Sequence, residues 1–260
     1  MRVIGGILFL VLLVAGGTRY KLPDWYVSRE HPVHYDDSLE DPVKARFYQR
    51  EVYRHALNLM EQHPEWSTIV DVGAGAGYKL IEILGHYNTI GIETEPALSS
   101  LQARYPDRTW ISGGTKPDKG FDEEAILARL HDVQIDVVIC SDVVEHFADP
   151  DVLIRFLALI PCKLLIISTP DRAVLRTMPA YGEPAWLGPP ANLSHYREWT
   201  LSEFTAYLLE SGFVVESSHS GVDQIECQWH VLLPQRLILS ATAKINEYHM
   251  LGVPLAEARE

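Results

Sequence analysis

The stretch Asp71-Val72-Gly73-Ala74-Gly75-Ala76-Gly77 decides how this chain is read. It ends an apolar run, Ser67 to Val72, that predicts a buried strand, and it leads into Ala76 to Leu84, whose apolar spacing predicts a helix. Glycine lets the backbone turn sharply and approach a ligand with no Cβ in the way. The helix start beyond it presents N–H groups that lack partners within the helix. The next extended run, Thr89 to Glu93, ends on an acid whose carboxylate can accept both hydroxyls of a ribose. A glycine run alone is weak evidence. On a strand-to-helix turn, followed by an acid at the end of the second strand, it points to a nucleoside-bearing ligand rather than to a turn that serves packing alone.

Outward from this loop the pattern alternates. Helices are expected over Pro96–Tyr105, Asp122–His131, Pro150–Ile160 and Leu201–Ser211, the last with Thr200 as N-cap and Gly212 as stop. Strands are expected over Thr109–Ser112, Ile135–Cys140, Lys163–Ser168, Phe213–Ser217 and about Gln224–Leu233. Upstream, Val43, Phe47, Val52, Ala56, Leu57 and Met60 mark one helix over Pro42–Gln62, with Asp41 before Pro42 as an N-cap. Such alternation predicts an α/β fold, a parallel sheet with helices on both faces. The last two strands are joined too briefly for a crossover, so they should pair antiparallel. The chain divides into an apolar start (1–19), a loop and cover helix (20–65), a core (66–233) and a weakly helical tail (234–260).

Hydrophobic residues make up 47% of the 260 residues and charged residues 22%. That excludes a disordered chain and a polytopic membrane protein. The net charge of −13 disfavours broad nucleic-acid binding, which depends on releasing counterions from phosphates. Cys140, Cys162 and Cys227 have no metal-type spacing and cannot all pair. Cys140 and Cys162 lie in apolar runs and are expected to be buried thiols in a reducing compartment.

The loop spacing is G-x-G-x-G with Asp71 two residues ahead, not the G-x-G-x-x-G of dinucleotide enzymes. It resembles motif I of the class I S-adenosylmethionine-dependent methyltransferases, from about Pro42 to Leu233. The resemblance implies a Rossmann-like sheet of seven strands, the last antiparallel. It also implies S-adenosyl-L-methionine as cofactor, its amino-acid part held at Asp71, Gly73, Ala74, Gly75 and Gly77 and its ribose at Glu93 and Thr94, with Ser141, Asp142 and Val143 completing the pocket. Where the family often carries an acid after the third strand, this chain has Ser112-Gly113-Gly114, with Asp118 or backbone groups as substitutes.

The fourth strand runs into Ser141-Asp142-Val143-Val144-Glu145-His146, and ligands in open α/β sheets sit beyond the carboxyl ends of strands. After the fifth strand come Ser168 to Arg172, an insert with Tyr181, Trp186, Pro189 and Pro190, and then His195-Tyr196-Arg197-Glu198-Trp199-Thr200. This combination resembles two branches of the family. One is the ubiquinone-biosynthesis O-methyltransferases. The other is the small-RNA 3′-terminal 2′-O-methyltransferases, in which two acids and two histidines bind a magnesium-type divalent ion. The matching positions are Asp142, Glu145, His146 and His195, with Asp142 one methylene shorter than the usual Glu. Glu145, His146 and His195 are the candidate catalytic residues, because a hydroxyl acceptor must be aligned and lose its proton. Competing structural roles are a helix cap for Glu145–His146 and a His195–Arg197 pair bracing the insert. Trp199 is expected in the core.

The expected activity is O-methylation of a sugar, lipid-linked or phenolic hydroxyl, with metal assistance left open. The charge weighs against the alternative of an RNA terminal ribose. A non-catalytic cofactor-binding protein and an NAD-dependent enzyme are the remaining alternatives. The apolar run Val3–Gly17 fits a signal, an anchor or an extended start. The cofactor is made in the cytosol, and Arg19, Lys21 and Arg29 outnumber Arg2 across the run. Both points favour a cytoplasmic domain with anchoring through residues 3–17, or an extended start, over export.

Overall fold

The computed structural model describes residues 19–33, 42–114, 121–177, 183–220 and 227–233. The apolar run 3–17, Asp41, Asp118, Tyr181 and the tail from residue 234 lie outside the described residues. In chain order the elements are α1 (Pro42–Phe47), α2 (Arg50–Gln62), β1 (Thr68–Val72), α3 (Tyr78–Leu84), β2 (Asn88–Glu93), α4 (Ala97–Arg104), β3 (Thr109–Ser112) and α5 (Glu123–Leu130). There follow β4 (Ile135–Ser141), α6 (Pro150–Leu159), β5 (Cys162–Pro170), α7 (Arg172–Leu175), α8 (Glu183–Leu187), α9 (Leu201–Glu210), β6 (Val214–Ser220) and β7 (Cys227–Leu233). Short 3-10 turns occupy Arg19–Lys21 and Val144–His146.

The strands form one seven-stranded sheet in the order β3-β2-β1-β4-β5-β7-β6. β1 to β5 pair in parallel, while β7 runs antiparallel to both β5 and β6. Every residue of β1 and β4 is buried, as expected where helices cover both faces. Alternation of side chains divides the core in two. Val70, Val72, Val138, Cys140, Leu165 and Ile167 pack with α5, α6 and α9 on one face. Ile69, Val137, Ile139, Leu164 and Ile166 pack with α2, α3 and α4 on the other. Trp199 is fully buried in the first of these, its indole N–H donating to the Tyr20 carbonyl at 2.9 Å.

Three expectations are corrected. The helix over Pro42–Gln62 is two helices, broken at Gln49, which is left-handed with φ 52°. The break sends the Gln49 side chain down to Ser141 and Ser168 at the ends of β4 and β5, a tertiary pull that helical periodicity does not register. Cys162 is only partly buried, because it opens β5 at the sheet's amino edge. Glu145 and His146 do not cap the helix after β4. They form the 3-10 turn, and α6 takes its own N-cap from Asp149, which accepts from the Asp151 N–H at 3.2 Å. The turns at 19–21, 172–175 and 183–187 are too short for periodicity to reveal.

Candidate active site

Two groups of polar residues meet at the carboxyl ends of the strands. The first surrounds the glycine loop. Gly73, Gly75 and Gly77 have φ of 77°, 54° and 75°, a region that L side chains adopt only at a cost. A Cβ on Gly73 would lie 2.4 Å from Val143 Cγ2, so the loop packs directly against the segment leaving β4. The Gly75 N–H donates to Glu93 Oε2 at 2.7 Å, and the Thr94 N–H donates to Glu93 Oε1 at 2.6 Å. Glu93 therefore ties the loop to the end of β2. Burial raises its pKa, and these two amides oppose that shift.

Asp71 is fully buried at the penultimate position of β1. The Tyr53 hydroxyl of α2 donates to its Oδ2 at 2.9 Å, while Oδ1 has no hydrogen-bond partner. Burial pushes the Asp71 carboxyl up to about 7, against the Tyr53 hydrogen bond and Lys79. Asp142, just past β4, is a non-glycine residue with φ 58°, and its N–H donates to the Ser168 carbonyl at 3.3 Å. Backbone held in this region marks a site that the surroundings over-determine.

The second group lies beyond β4 and β5. Glu145 is fully buried and accepts from the Thr169 hydroxyl at 3.0 Å. Burial and the neighbouring Asp142 carboxylate hold its pKa well above the carboxylate range. His146 and His195 meet edge-on, ring centroids 4.8 Å apart. His146 Nδ1 lies 3.1 Å from the Ser194 carbonyl and His195 Nδ1 lies 2.7 Å from Glu198 Oε1. The Ser194 carbonyl can only accept, which places the His146 ring proton on Nδ1, and Glu198 orients the His195 ring through its Nδ1. Burial drives His195 down to about 3, so its imidazole is neutral. One ligand atom from each of Glu145, His146 and His195 falls within 4.8 Å of the others. Asp142, the fourth residue expected, adjoins the cluster through a side-chain hydrogen bond to Glu145.

The His195–Arg197 pairing does not occur. Arg197 donates to the Phe147 and Ala148 carbonyls, both at 2.8 Å, while His195 turns to Glu198. The segment 19–33 helps build this wall. The Tyr26 hydroxyl accepts the Glu198 N–H at 2.9 Å, and the Arg29 N–H donates to the Tyr196 carbonyl at 2.7 Å. Gln49, Tyr53, Thr169 and Glu198 were not among the expected site residues. Glu198 was detectable as an acid three residues beyond His195, whereas Gln49 and Tyr53 reach the site only because α2 crosses the strand ends.

A family model described as a methyltransferase domain matches residues 45–218. No curated protein matches the chain. Among solved structures it is similar to a SAM-dependent methyltransferase from Aquifex aeolicus, with 16% identity and a TM-score of 0.51 over 77% of this chain and 100% of that one. It is also similar to the PH0226 protein from Pyrococcus horikoshii OT3, with 15% identity and a TM-score of 0.53 over 77% and 94%. A third is magnesium protoporphyrin IX methyltransferase from Synechocystis PCC 6803 with bound SAH, at 14% identity and TM-score 0.50 over 75% and 88%. At these identities the likeness concerns the fold. The match to two thirds of the chain decides the family: this protein belongs to the methyltransferase-domain family, as a class I S-adenosylmethionine-dependent methyltransferase.

Proposed function

We propose that the protein methylates a hydroxyl of a sugar, lipid-linked or phenolic acceptor, with Glu145, His146 and His195 as the acceptor-side machinery. The observation that carries this reading is their convergence within 4.8 Å beyond β4, adjoining the glycine loop. The residues of the loop suit S-adenosylmethionine. The unpartnered Asp71 Oδ1 is a buried acceptor for an ammonium group, and Glu93 ends β2 level with the loop. Bound there, the cofactor supplies a sulfonium methyl already activated for in-line displacement. The protein's part is then to hold the hydroxyl in line and to receive its proton.

The three acceptor-side residues also suit a divalent ion. A carboxyl group and two imidazoles, each oriented by a second hydrogen bond, form a donor set common to such ions. A bound ion would lower the pKa of the acceptor hydroxyl. His195 fits that holding role better than the role of proton acceptor, since a group titrating at about 3 is a weak base. His146→Ala and His195→Ala should each lower methyl transfer by at least about 100-fold while leaving S-adenosylhomocysteine binding intact. A chelator should inhibit the parent protein, with recovery on adding magnesium or manganese. Full turnover in chelator, with both alanine variants active, would remove the metal and the two histidines from the mechanism.

Trp25, Val27, Leu187 and Leu193 are exposed on the two paired segments that build the His195 wall, with the Val27 N–H donating to the Leu187 carbonyl at 2.8 Å. These side chains favour an amphipathic, lipid-linked acceptor met at a cytoplasmic membrane face, with residues 3–17 as the anchor. The same cluster would suit a terminal ribose of RNA, but the charge of −13 opposes a long polyanion. Transfer of labelled methyl into a cell extract, with identification of the product, separates these acceptors.

Cofactor binding should depend on pH. Asp71, with Tyr53, Lys79 and Glu93 around it, is protonated in the ligand-free protein below about 7. Because its folded-state pKa is raised, ionising it costs stability as pH rises from 3.8 towards 7. A bound ammonium group reverses that preference. Calorimetric affinity for S-adenosylhomocysteine should therefore rise about 10-fold from pH 6 to pH 8 and level off above. A flat profile would show that Asp71 does not meet the ammonium group.

A further inference from the structure

Gln49 is 2% exposed, left-handed at φ 52°, and with Tyr48 links α1 to α2. Its Oε1 accepts from the hydroxyls of Ser141, at 2.9 Å, and Ser168. Its Nε2 is buried and has no hydrogen-bond partner. Leaving a buried amide N–H unpaired costs about 1–3 kcal/mol, so such a group calls for an explanation. A strained backbone angle that serves only to bury an unpaired donor compounds the cost.

A second unpaired group lies beneath the same helix. Four residues after Gln49, Tyr53 donates to Asp71 Oδ2, and it is Asp71 Oδ1 that lacks a partner. The two sites sit on neighbouring strands. Asp71 of β1 is in register with Ile139 of β4, and Ser141, which holds Gln49, is two residues further on towards the carboxyl end. One buried acceptor and one buried donor, each without a partner, thus flank the glycine loop where α2 covers β1 and β4. An α-amino acid carries its ammonium and carboxylate on one carbon and offers the complement of that pair.

We propose that Gln49 is a cofactor-positioning residue: its Nε2 donates to the carboxylate of the amino-acid part of the cofactor while Asp71 Oδ1 receives the ammonium group. The inference rests on the reading of the glycine loop as the cofactor site, and it adds a residue of the cover segment that belongs to no glycine-loop motif. Gln49 then does two things. It closes the α1–α2 junction over the strand ends through its oxygen, and it reads the charged end of the cofactor through its nitrogen. Recognition of that end would be split between a rigid strand residue and a residue held at a helix break.

The test compares two ligands by calorimetry on the full chain: S-adenosylhomocysteine, and 5′-deoxy-5′-methylthioadenosine, which keeps the nucleoside and thioether but lacks the amino-acid part. Gln49→Ala removes the amide. Gln49→Glu keeps an oxygen for the two serines and replaces the donor by an acceptor. Both variants should bind S-adenosylhomocysteine about 10- to 100-fold more weakly than the parent, the range of a hydrogen bond to a charged group. Both should bind methylthioadenosine within about twofold of the parent, which also shows that the site has folded. Unchanged S-adenosylhomocysteine binding in both variants overturns the proposal. So does an equal loss of both ligands, which would make Gln49 a structural brace. If the parent itself binds neither ligand, the cofactor reading of the loop fails, and the proposal with it.

Discussion

Gly75→Arg is expected to abolish calorimetric binding of S-adenosylhomocysteine at concentrations that saturate the parent protein, a loss above about 100-fold. Two effects combine. Gly75 has φ 54°, where an L residue is strained by roughly 1–2 kcal/mol. Its N–H is also the group that donates to Glu93 Oε2 at 2.7 Å, so a shift of this backbone also disturbs the acid expected to meet the ribose. Arginine adds a long cationic side chain on the segment where backbone must approach ligand. Gly75→Ala separates the two contributions, since it brings the strain without the bulk, and it should cost about 10-fold. Binding by Gly75→Arg within tenfold of the parent would mean that this loop is not the cofactor cradle.

The largest effect on stability is expected from Glu203→Ala. Arg172 is almost fully buried, and its Nη2 donates to both oxygens of Glu203 at 2.6 Å. Its guanidinium also lies over Tyr26 and Trp186, at 4.2 and 4.8 Å from the ring centroids, while Nε and Nη1 have no hydrogen-bond partner. Removing the carboxylate takes from the buried guanidinium the partner that it hydrogen-bonds, which costs about 3–5 kcal/mol. Glu203 also closes the capping box of α9, accepting the Thr200 N–H at 2.8 Å while its own N–H donates to the Thr200 hydroxyl at 3.4 Å. At roughly 2–4 °C per kcal/mol for a chain of this size, the melting temperature should fall by about 10 °C. Glu203→Gln, which keeps an acceptor for both Arg172 and Thr200, should fall by less. A melting temperature for Glu203→Ala within about 3 °C of the parent would show that the aromatic faces alone support the guanidinium.

Arg172 shows why part of this protein was hidden from its sequence. In the chain it is one basic residue after β5, and nothing nearby in sequence marks it as buried. Its carboxylate partner lies 31 residues on, and the rings beneath it come from the segment before α1 and from α8. Glu198 is similar. Its carboxyl is pushed up to about 7 by burial, against Arg172 and Arg29, and it orients His195, yet burial of that kind is a property of three segments packed together. Gln49 is the clearest case. Its side-chain hydrogen bonds span 92 and 119 residues, and they break a helix that the apolar spacing of Pro42–Gln62 would have continued.

What the sequence determined by itself was whatever depends on neighbours along the chain. Short apolar runs and helical spacing placed the seven strands and the main helices around them. The glycine loop and Glu93 marked the cofactor end of the sheet, because a tight turn and the acid ending the next strand are local features. The short link between the last two strands required an antiparallel pair. The tertiary structure alone decided that β7 inserts between β5 and β6, that Glu198 orients His195 beside Glu145 and His146, and that α2 lends Tyr53, and the break before it Gln49, to the strand ends. Each of these depends on contacts between residues far apart in the chain, where burial and unpaired hydrogen-bonding groups, rather than local propensity, set the free energy.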